Sequence, residues 1–462
     1  MAITIRRQKK EKVNDISTFL EFKPNNDQAE ALNLIKDFID NSTEKVFVLT
    51  GAAGTGKTSI MKAVISYINS YLGDFNLLAP TGRAANIIAQ KSNYYAQTIH
   101  SHIYSISEIK DNEGRVVKLR FHRKSNMKDY NEVFFVDEAS MISDVPSDSG
   151  EFVSENSLMH DFMEYVKQGN SRNKIIFIGD TYQLPPVNSS SSHALDAEYI
   201  TTKYGVGVKT FELKEVMRQA NDSYILDNAQ KIKNAINHQV LIPELRFANI
   251  EESLNKSAMY VEDIKKYGYN KAIALAWTNK TISNINKQVR DRLYPDPSQQ
   301  VQKGEHLILS EGHFAKNYIP NGTFVEVIDI VSNVTQYADF KFIEVKLRNS
   351  DSHEELPGTY QISLDYLSEN DIWNDSEKVK KLWNHRYKYN KDLQESKNKK
   401  DDEFIAALKV KYAYAITVHK AQGGEWDRVY FHPEQPSGQD GKRLVYTAVT
   451  RSKSELIKIN RF

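Results

Sequence analysis

Eight consecutive residues, Gly51-Ala52-Ala53-Gly54-Thr55-Gly56-Lys57-Thr58, satisfy every fixed position of the phosphate-cradling pattern G-x-x-x-x-G-K-[ST]. The glycines let backbone N–H groups turn inward on the β- and γ-phosphates of a nucleotide. Lys57 adds a point charge to the same oxygens, and Thr58 offers a hydroxyl to Mg²⁺. A helix that begins at the end of such a loop contributes its positive dipole end. The adjacent acids Asp137 and Glu138 supply what a phosphate loop lacks. Asp137 can complete the metal's coordination shell, and Glu138 can orient and deprotonate an attacking water. These residue types point to chemistry at the terminal phosphate of a bound nucleotide.

The elements that must position them are legible as alternating strands and helices. Val46-Phe47-Val48-Leu49 is a strand-type run before the loop, and Ile60, Met61, Val64, Ile65, Ile68 and Leu72 follow it at helical spacing. Upstream, Asn25-Asn26-Asp27 can cap a helix carrying Ala31, Leu34, Ile35 and Phe38 on one face. Gln28 falls in its first turn, with a carboxamide able to donate and accept at an adenine edge. Leu77-Leu78-Ala79 reads as a strand that breaks at Pro80 and re-enters a helix. Val133-Phe134-Phe135-Val136 has the continuous apolar character of a buried parallel strand and delivers Asp137 at its C-terminal end. Lys174 to Ile178 does the same for Gly179-Asp180-Thr181-Tyr182-Gln183.

The alternation restarts later, with a strand at Ile273 to Trp277, a turn at Thr278-Asn279-Lys280 and a helix carrying Ile282, Ile285, Val289 and Leu293. It returns at Tyr412 to Thr417 and closes with a strand at Val429 to Phe431, a helix carrying Tyr446 to Lys453 and a strand at Leu456 to Ile459. The expected class is α/β with parallel sheets.

Three stretches depart from that alternation. Residues 105–110 and 116–122, joined by a turn at Asp111-Asn112-Glu113-Gly114, read as a β-hairpin. From Lys110 to Lys128 there are seven Lys and Arg against two acids, which suits either a solvated ribbon or a nucleic-acid contact. Ser143 to Ser157, acidic and serine-rich, reads as an exposed loop. Residues 301–367 are β-rich, with hairpin turns at Pro320-Asn321-Gly322 and Glu355-Leu356-Pro357-Gly358, and suggest a small barrel. Residues 378–400 then carry nine Lys and Arg against two acids, with Trp383, Tyr387 and Tyr389 interleaved. That composition fits a stacking groove for single strands or an amphipathic helix with a solvated basic face.

Composition bounds the rest. A chain of 462 residues exceeds one ordinary core and implies two to four domains. Lys and Arg number 61 against 60 Asp and Glu, so overall charge selects no partner. The absence of cysteine excludes disulfides and thiolate metal sites. No run approaches the ~20 apolar residues of a membrane span, and Met1 to Lys12 has no apolar stretch of a signal peptide, so a cytoplasmic protein without a membrane partner is expected. Arg6, Arg7, Lys9, Lys10 and Lys12 are expected to form a solvated terminus.

Taken together, the segments resemble superfamily 1 helicases of the RecD and phage Dda branch. Their motifs occur in that family's order: the phosphate loop, APTGRAA, TIHS, DEAS, GDTYQLPPV, an Arg-Gln pair at Arg218, and the closing pair TVHKAQGGEWD and YTAVTRSK. The resemblance spans about Asn25 to Lys458 and is weakest over 103–131 and 301–410. It implies two RecA-like P-loop lobes, the first from 1–102 and 132–210, the second from 211–300 and 411–462. It also implies a hairpin insertion at 103–131 and an SH3-like barrel with a basic helical arm at 301–410.

ATP and Mg²⁺ are the implied cofactors, held by Gln28, the loop residues 51–58, Asp137 and Glu425. Lys57, Glu138, Gln183, Arg218 and Arg451 are the implied catalytic set, with both arginines reaching the γ-phosphate from the second lobe. Pro80, Thr81, Thr98, His100, Asn279, Thr417 and His419 fall where the family touches single-stranded nucleic acid. The implied activity is an ATP-driven 5′→3′ DNA helicase acting as a monomer on single strands and forked duplex, with replication or recombination proteins as partners.

Phe121, or another apolar hairpin residue, is the expected wedge at the fork, with Arg115, Lys118 and Arg120 on the phosphates. The loop after DEAS looks long for the family, and no nuclease motif is visible. Three other readings remain open: a superfamily 1 RNA helicase, a small-molecule phosphotransferase, and an ATPase subunit of a larger assembly such as a nuclease complex. The phosphotransferase would have no use for two distant arginines or the TVHKAQG segment.

Overall fold

The computed structural model describes residues 15–71, 74–112, 114, 116–148, 152–187, 189–216, 224–250, 255–294, 296, 298–313, 318–368 and 371–459. The basic run Arg6 to Lys12, Arg115 and Arg218 lie outside the described residues. Contacts divide the chain into two units, 1–80, 87–107 and 120–221 in the first and 81–86, 108–119 and 222–462 in the second.

The first unit is built on six parallel strands in the order Val208–Leu213, Val46–Gly51, Lys174–Gly179, Glu132–Val136, Asp74–Ala79, Gln97–Thr98. Its strands read as unbroken apolar runs because both faces are covered. Phe47, Leu49, Phe135, Ile176 and Ile178 pack on one face with the helices Asn26–Asp40 and Lys57–Tyr71. Val46, Val48, Phe134, Val136, Ile175 and Phe177 pack on the other, with the helix Leu158–Gln168. Successive residues of one strand thus feed two cores, as the two-residue strand period requires.

The hairpin is present as Tyr104–Lys110 and Val116–Arg123. The expectation of an exposed loop at 143–157 is overturned. Pro146–Asp148 and Phe152–Ser157 are strands that extend the hairpin into a four-stranded sheet. Phe152 stacks on Phe121 at 5.0 Å between ring centroids. Asp144 anchors the entry to this segment by accepting from Ser157, Tyr199 and Lys203. These contacts outweigh a serine-rich composition that in isolation favours a loop.

The second unit holds a four-stranded parallel sheet in the order Ala415–Thr417, Ala272–Ala276, Trp426–Phe431, Ser452–Lys458. Beside it, the antiparallel strands His306–Leu309, Phe324–Ile330, Phe340–Asn349 and Tyr360–Ser363 surround an apolar core that includes Leu307, Val325, Val345, Leu347 and Ile362. Val410–Tyr412 pairs with His306–Leu309, and a bridge between Ile362 and Leu408 closes the ring.

The stretch 412–417, expected to be a single return to α/β structure, is therefore split. Its start belongs to the antiparallel ring, and Ala415–Thr417 belongs to the parallel sheet. The expected turn at Thr278-Asn279-Lys280 is already helical, because Thr278 caps the helix Asn279–Leu293 by accepting from Thr281 N.

The basic stretch forms the helix Ser376–Tyr389, seated on the ring by Leu382 and Arg386. Arg386 Nε donates to Asp402 at 2.8 Å and lies over the rings of Tyr337 and Phe404. Asn398 of the arm hydrogen-bonds Glu108 at the hairpin's outer end.

Candidate nucleotide site and strand-binding loops

Sheet register assembles the nucleotide residues. Thr50 pairs with Gly179, Val136 with Phe177 and Leu78 with Val136, so four neighbouring strands end together. Their C-terminal ends release the phosphate loop after Gly51, Asp180 to Gln183 after Gly179, Asp137-Glu138 after Val136, and Pro80 after Ala79. The carboxyl ends of parallel strands are where open α/β sheets bind ligands.

The loop itself is closely drawn. Gly54 and Gly56 have φ of 84° and 90°, a region that side chains rarely adopt. A Cβ on Gly56 would also lie 2.3 Å from Gln28 Nε2, and one on Gly51 would meet Thr55 Oγ1 at 2.7 Å. Lys57 Nζ donates to the carbonyls of Gly51 at 2.7 Å and Ala52 at 3.0 Å. Gln28 is fully buried and does two jobs. It forms a capping box with Asn25, accepting from Asn25 N at 3.2 Å, and its Nε2 donates to Thr55 O at 3.1 Å. Its amide therefore ties the first helix to the phosphate loop.

Burial raises the Asp137 carboxyl to about 7; the charge of Glu138 adds to this and Lys57 opposes it. Glu138 has φ of +51°, a left-handed conformation costly for a residue with a Cβ and found where surrounding structure enforces it. Gln183 is 3% exposed, and its Oε1 has no hydrogen-bond partner; Ser140 Oγ of the same strand-end cluster is likewise unpartnered. A desolvated carboxylate, a cradle closed to Cβ atoms and an orphaned carboxamide oxygen fit a magnesium-bound nucleotide. Mg²⁺ needs only one or two protein oxygens beside phosphates and water, which Asp137 and Thr58 can supply.

In the second unit, Arg451 follows the helix Gly438–Thr450 and is 3% exposed. Its side chain donates to Gly424 O at 3.0 Å, Thr447 O at 3.2 Å and Thr450 Oγ1 at 3.4 Å. Glu425 stands 3.8 Å from Lys453. Ala276 pairs with Thr417, which brings the strand ends before Asn279 and His419 together. Asn279 is exposed, while Thr417 and His419 are half-buried, and burial lowers the His419 pKa against the charge of Asp440.

In the first unit, Thr98 caps the short helix Ile99–Ile103, and burial lowers the His100 pKa to about 4. Phe121 is corrected in position. It lies at the root of the hairpin in a ring ladder with His100, Tyr104 and Phe152, at centroid distances of 5.4, 5.0 and 5.0 Å. A side chain held between other rings has no free face for a terminal base pair. Arg120 points to Glu155 at 3.4 Å.

Sequence reasoning gave no role to Arg83. Its signal was available: a cation in the first turn of a helix, where the dipole opposes it.

Residues 23–242 match the AAA domain family, and residues 412–457 match the UvrD-like helicase C-terminal domain family. By these two matches and by the relatives that follow, the chain is similar to superfamily 1 helicases. It is 24% identical to the ATP-dependent DNA helicase dda of Enterobacteria phage T4, over 94% of this chain and 98% of that protein. It is 24% identical to the RecBCD enzyme subunit RecD of Buchnera aphidicola subsp. Schizaphis graminum, over 89% and 69% respectively. An uncharacterised protein of Methanocaldococcus jannaschii is also 24% identical, and this chain spans 37% of its length. Among solved structures, Bacteroides Pif1 bound to ssDNA shares the fold with a TM-score of 0.50 at 16% identity, covering 95% of this chain and 92% of that one. Among the described residues no helix is long and apolar enough to cross a membrane.

Proposed function

We propose that this chain is an ATP-dependent DNA helicase that moves 5′→3′ along single-stranded DNA and opens duplex ahead of it. The observation that carries this is the convergence of Lys57, Asp137, Glu138 and Gln183 at adjacent strand ends. The helicase C-terminal match that contains Arg451 adds to it. Magnesium-bound ATP supplies a terminal phosphate whose transfer develops charge on its oxygens.

In this reading the loop N–H groups and Lys57 hold those oxygens, while Asp137 and Thr58 hold the metal. Glu138 takes a proton from the attacking water, and Gln183, with its free carboxamide oxygen, senses the terminal phosphate. Arg451 and Arg218 complete the charge stabilisation, and Glu425 contacts the ribose. Arginine engagement is worth ~10³ to 10⁵ in rate in such enzymes, so turnover is gated by whatever delivers it. Pro80, Thr81, Thr98 and His100 from one half of the chain and Asn279, Thr417 and His419 from the other bind the strand. Alternate grip converts each cycle into a step.

The hairpin is the fork wedge in this reading. Because Phe121 is engaged at the root, the fork meets the outer part of the hairpin instead. The test of the function is ATP turnover without nucleic acid, with single-stranded DNA and with single-stranded RNA of equal length. Strong stimulation by DNA supports the proposal, preferential stimulation by RNA transfers it to an RNA helicase, and equal turnover in all three sinks both.

A further inference from the structure

Arg83 is the second residue of the helix Gly82–Ser92 and is 7% exposed. Its guanidinium lies 4.2 Å from the ring centroid of Phe324 and 4.5 Å from that of Trp426. Residues 81–86, Phe324 and Trp426 all belong to the second unit. Stacking on both faces is favourable for a guanidinium. Yet Nε and one terminal nitrogen are buried without a hydrogen-bond partner. Leaving such donors unmatched is costly, and buried polar groups are ordinarily paired. The neighbouring charges are Asp351, which favours the cation, and Arg451, which opposes it. Stacking therefore holds Arg83, and its donors remain available to an anion.

The stack presses on the turn that holds Arg451. A Cβ at Gly424 would lie 2.7 Å from the Trp426 ring and 3.1 Å from Arg83 Cζ, so only glycine lets the backbone pass there. On its other side the same turn binds Arg451 twice. Gly424 O accepts from the Arg451 guanidinium at 3.0 Å, and Trp426 N donates to Arg451 O at 2.9 Å. Arg83, the Gly424–Trp426 turn and Arg451 thus form one contiguous set of contacts. The arginine assigned to the nucleotide phosphate is stowed at one end, and an arginine with free donors stands at the other.

We propose that Arg83 is a positioning residue that keeps Arg451 stowed, by fixing the Gly424–Trp426 turn, until a phosphate of the bound strand takes its free donors. Charge-assisted bonds to phosphate are stronger than neutral ones, and Arg83 lies two residues after the strand-contact candidate Thr81 in sequence. Drawing Arg83 off its rings unloads the turn and frees the Gly424 carbonyl's partner. This deepens the helicase reading by naming how strand occupancy reaches the phosphate chemistry, and it rests on that reading.

The test uses the full chain with Arg83→Gln and Arg83→Lys. Both should raise DNA-free turnover at saturating ATP and lower the stimulation ratio by about 5- to 150-fold, the usual span of coupling factors between sites. KM for ATP should stay unchanged. Lysine keeps the charge but cannot stack as a plane on two rings, so it should not restore coupling.

Should the Arg83 variants fail to fold, Phe324→Leu removes one face of the sandwich and should shift the ratio in the same direction. In a chain whose Trp277, Trp373 and Trp383 are replaced by Phe, Trp426 emission should change when an oligothymidylate binds, and Arg83→Gln should abolish that change. An unaltered ratio in Arg83→Gln overturns the proposal. So does a loss of both DNA-free and stimulated turnover, or full rescue by lysine. If the unaltered chain shows no DNA stimulation, the helicase reading fails instead, and the two failures are told apart by that control.

Discussion

The two halves of the proposed phosphate chemistry are held in opposite conditions. In the first unit the groups stand short of partners. Asp137 is desolvated, Gln183 Oε1 and Ser140 Oγ are unpartnered, and Glu138 holds a left-handed backbone. In the second unit Arg451 donates to three acceptors of its own surroundings. The contrast locates readiness and control in different places. The strand ends of the first unit are pre-organised at a local cost, which the packed sheet beneath them offsets. In the proposed mechanism Arg451 is withheld by these bonds, which must break before it can act.

Substitutions can sharpen or break this contrast. The largest effect is expected from Lys57→Ala, which removes the charge at the phosphates and should reduce nucleotide affinity and turnover together, read by nucleotide titration and phosphate release. Next is Arg451→Ala. If its contact is made in the transition state, saturated turnover should fall by ~10³ to 10⁵ while nucleotide affinity is nearly unchanged. Loss of affinity with normal saturated turnover would place Arg451 on the ground state and erase the contrast.

Replacing residues 109–117 by a short glycine-containing turn should leave DNA-stimulated ATP turnover intact and cut the number of base pairs opened per ATP. An unchanged ratio would move the wedge to another element, with the basic arm around Trp383 the next candidate.

A smaller, pH-linked effect should appear in the second unit. Burial, with Arg83 adding to it, pushes His306 down to about 3, and its ring stacks on Tyr269 at 4.1 Å. A histidine whose folded pKa is lowered binds protons more readily when unfolded. Its stabilising contribution is therefore complete above the ordinary value of about 6.5 and is lost as pH falls below it, by at most ~1.4 kcal/mol per pH unit. Chemical denaturation between pH 7 and 4 should show a shallower loss in His306→Phe than in the parent chain. The smallest effect is Gln28→Ala. It removes a capping box and the tie to Thr55, costing ~1 to 2 kcal/mol of stability, with a further loss of ATP affinity if the amide also reads the base.

The parallel sheets were legible because buried strands of the Val133 to Val136 type leave a dense apolar run, and because the phosphate loop is defined by spacing alone. The segment 143–157 was not, since Ser, Asp and Glu dominate it and the contacts that make it a strand, those of Phe121 and Asp144, act only in the folded chain. Phe121 was singled out for its aromatic ring in a basic hairpin. Its place at the root depends on His100 and Tyr104, which sequence spacing does not reveal. The break within 412–417 escaped notice because both halves are equally apolar; only the pairing partners distinguish them. The partners of Arg83 were hidden most deeply, because the rings that hold it come from positions 324 and 426.

The central claim is that hydrolysis at this site drives separation of DNA strands. It is tested most directly by strand separation of a forked duplex whose single-stranded tail is on the 5′ side, on the 3′ side or absent, with ATP and Mg²⁺ in excess. The account predicts ATP-dependent opening of the 5′-tailed substrate, none of the blunt one, and loss of opening in Lys57→Ala. Opening that needs no ATP, or no opening of any substrate while DNA still stimulates turnover, would contradict it.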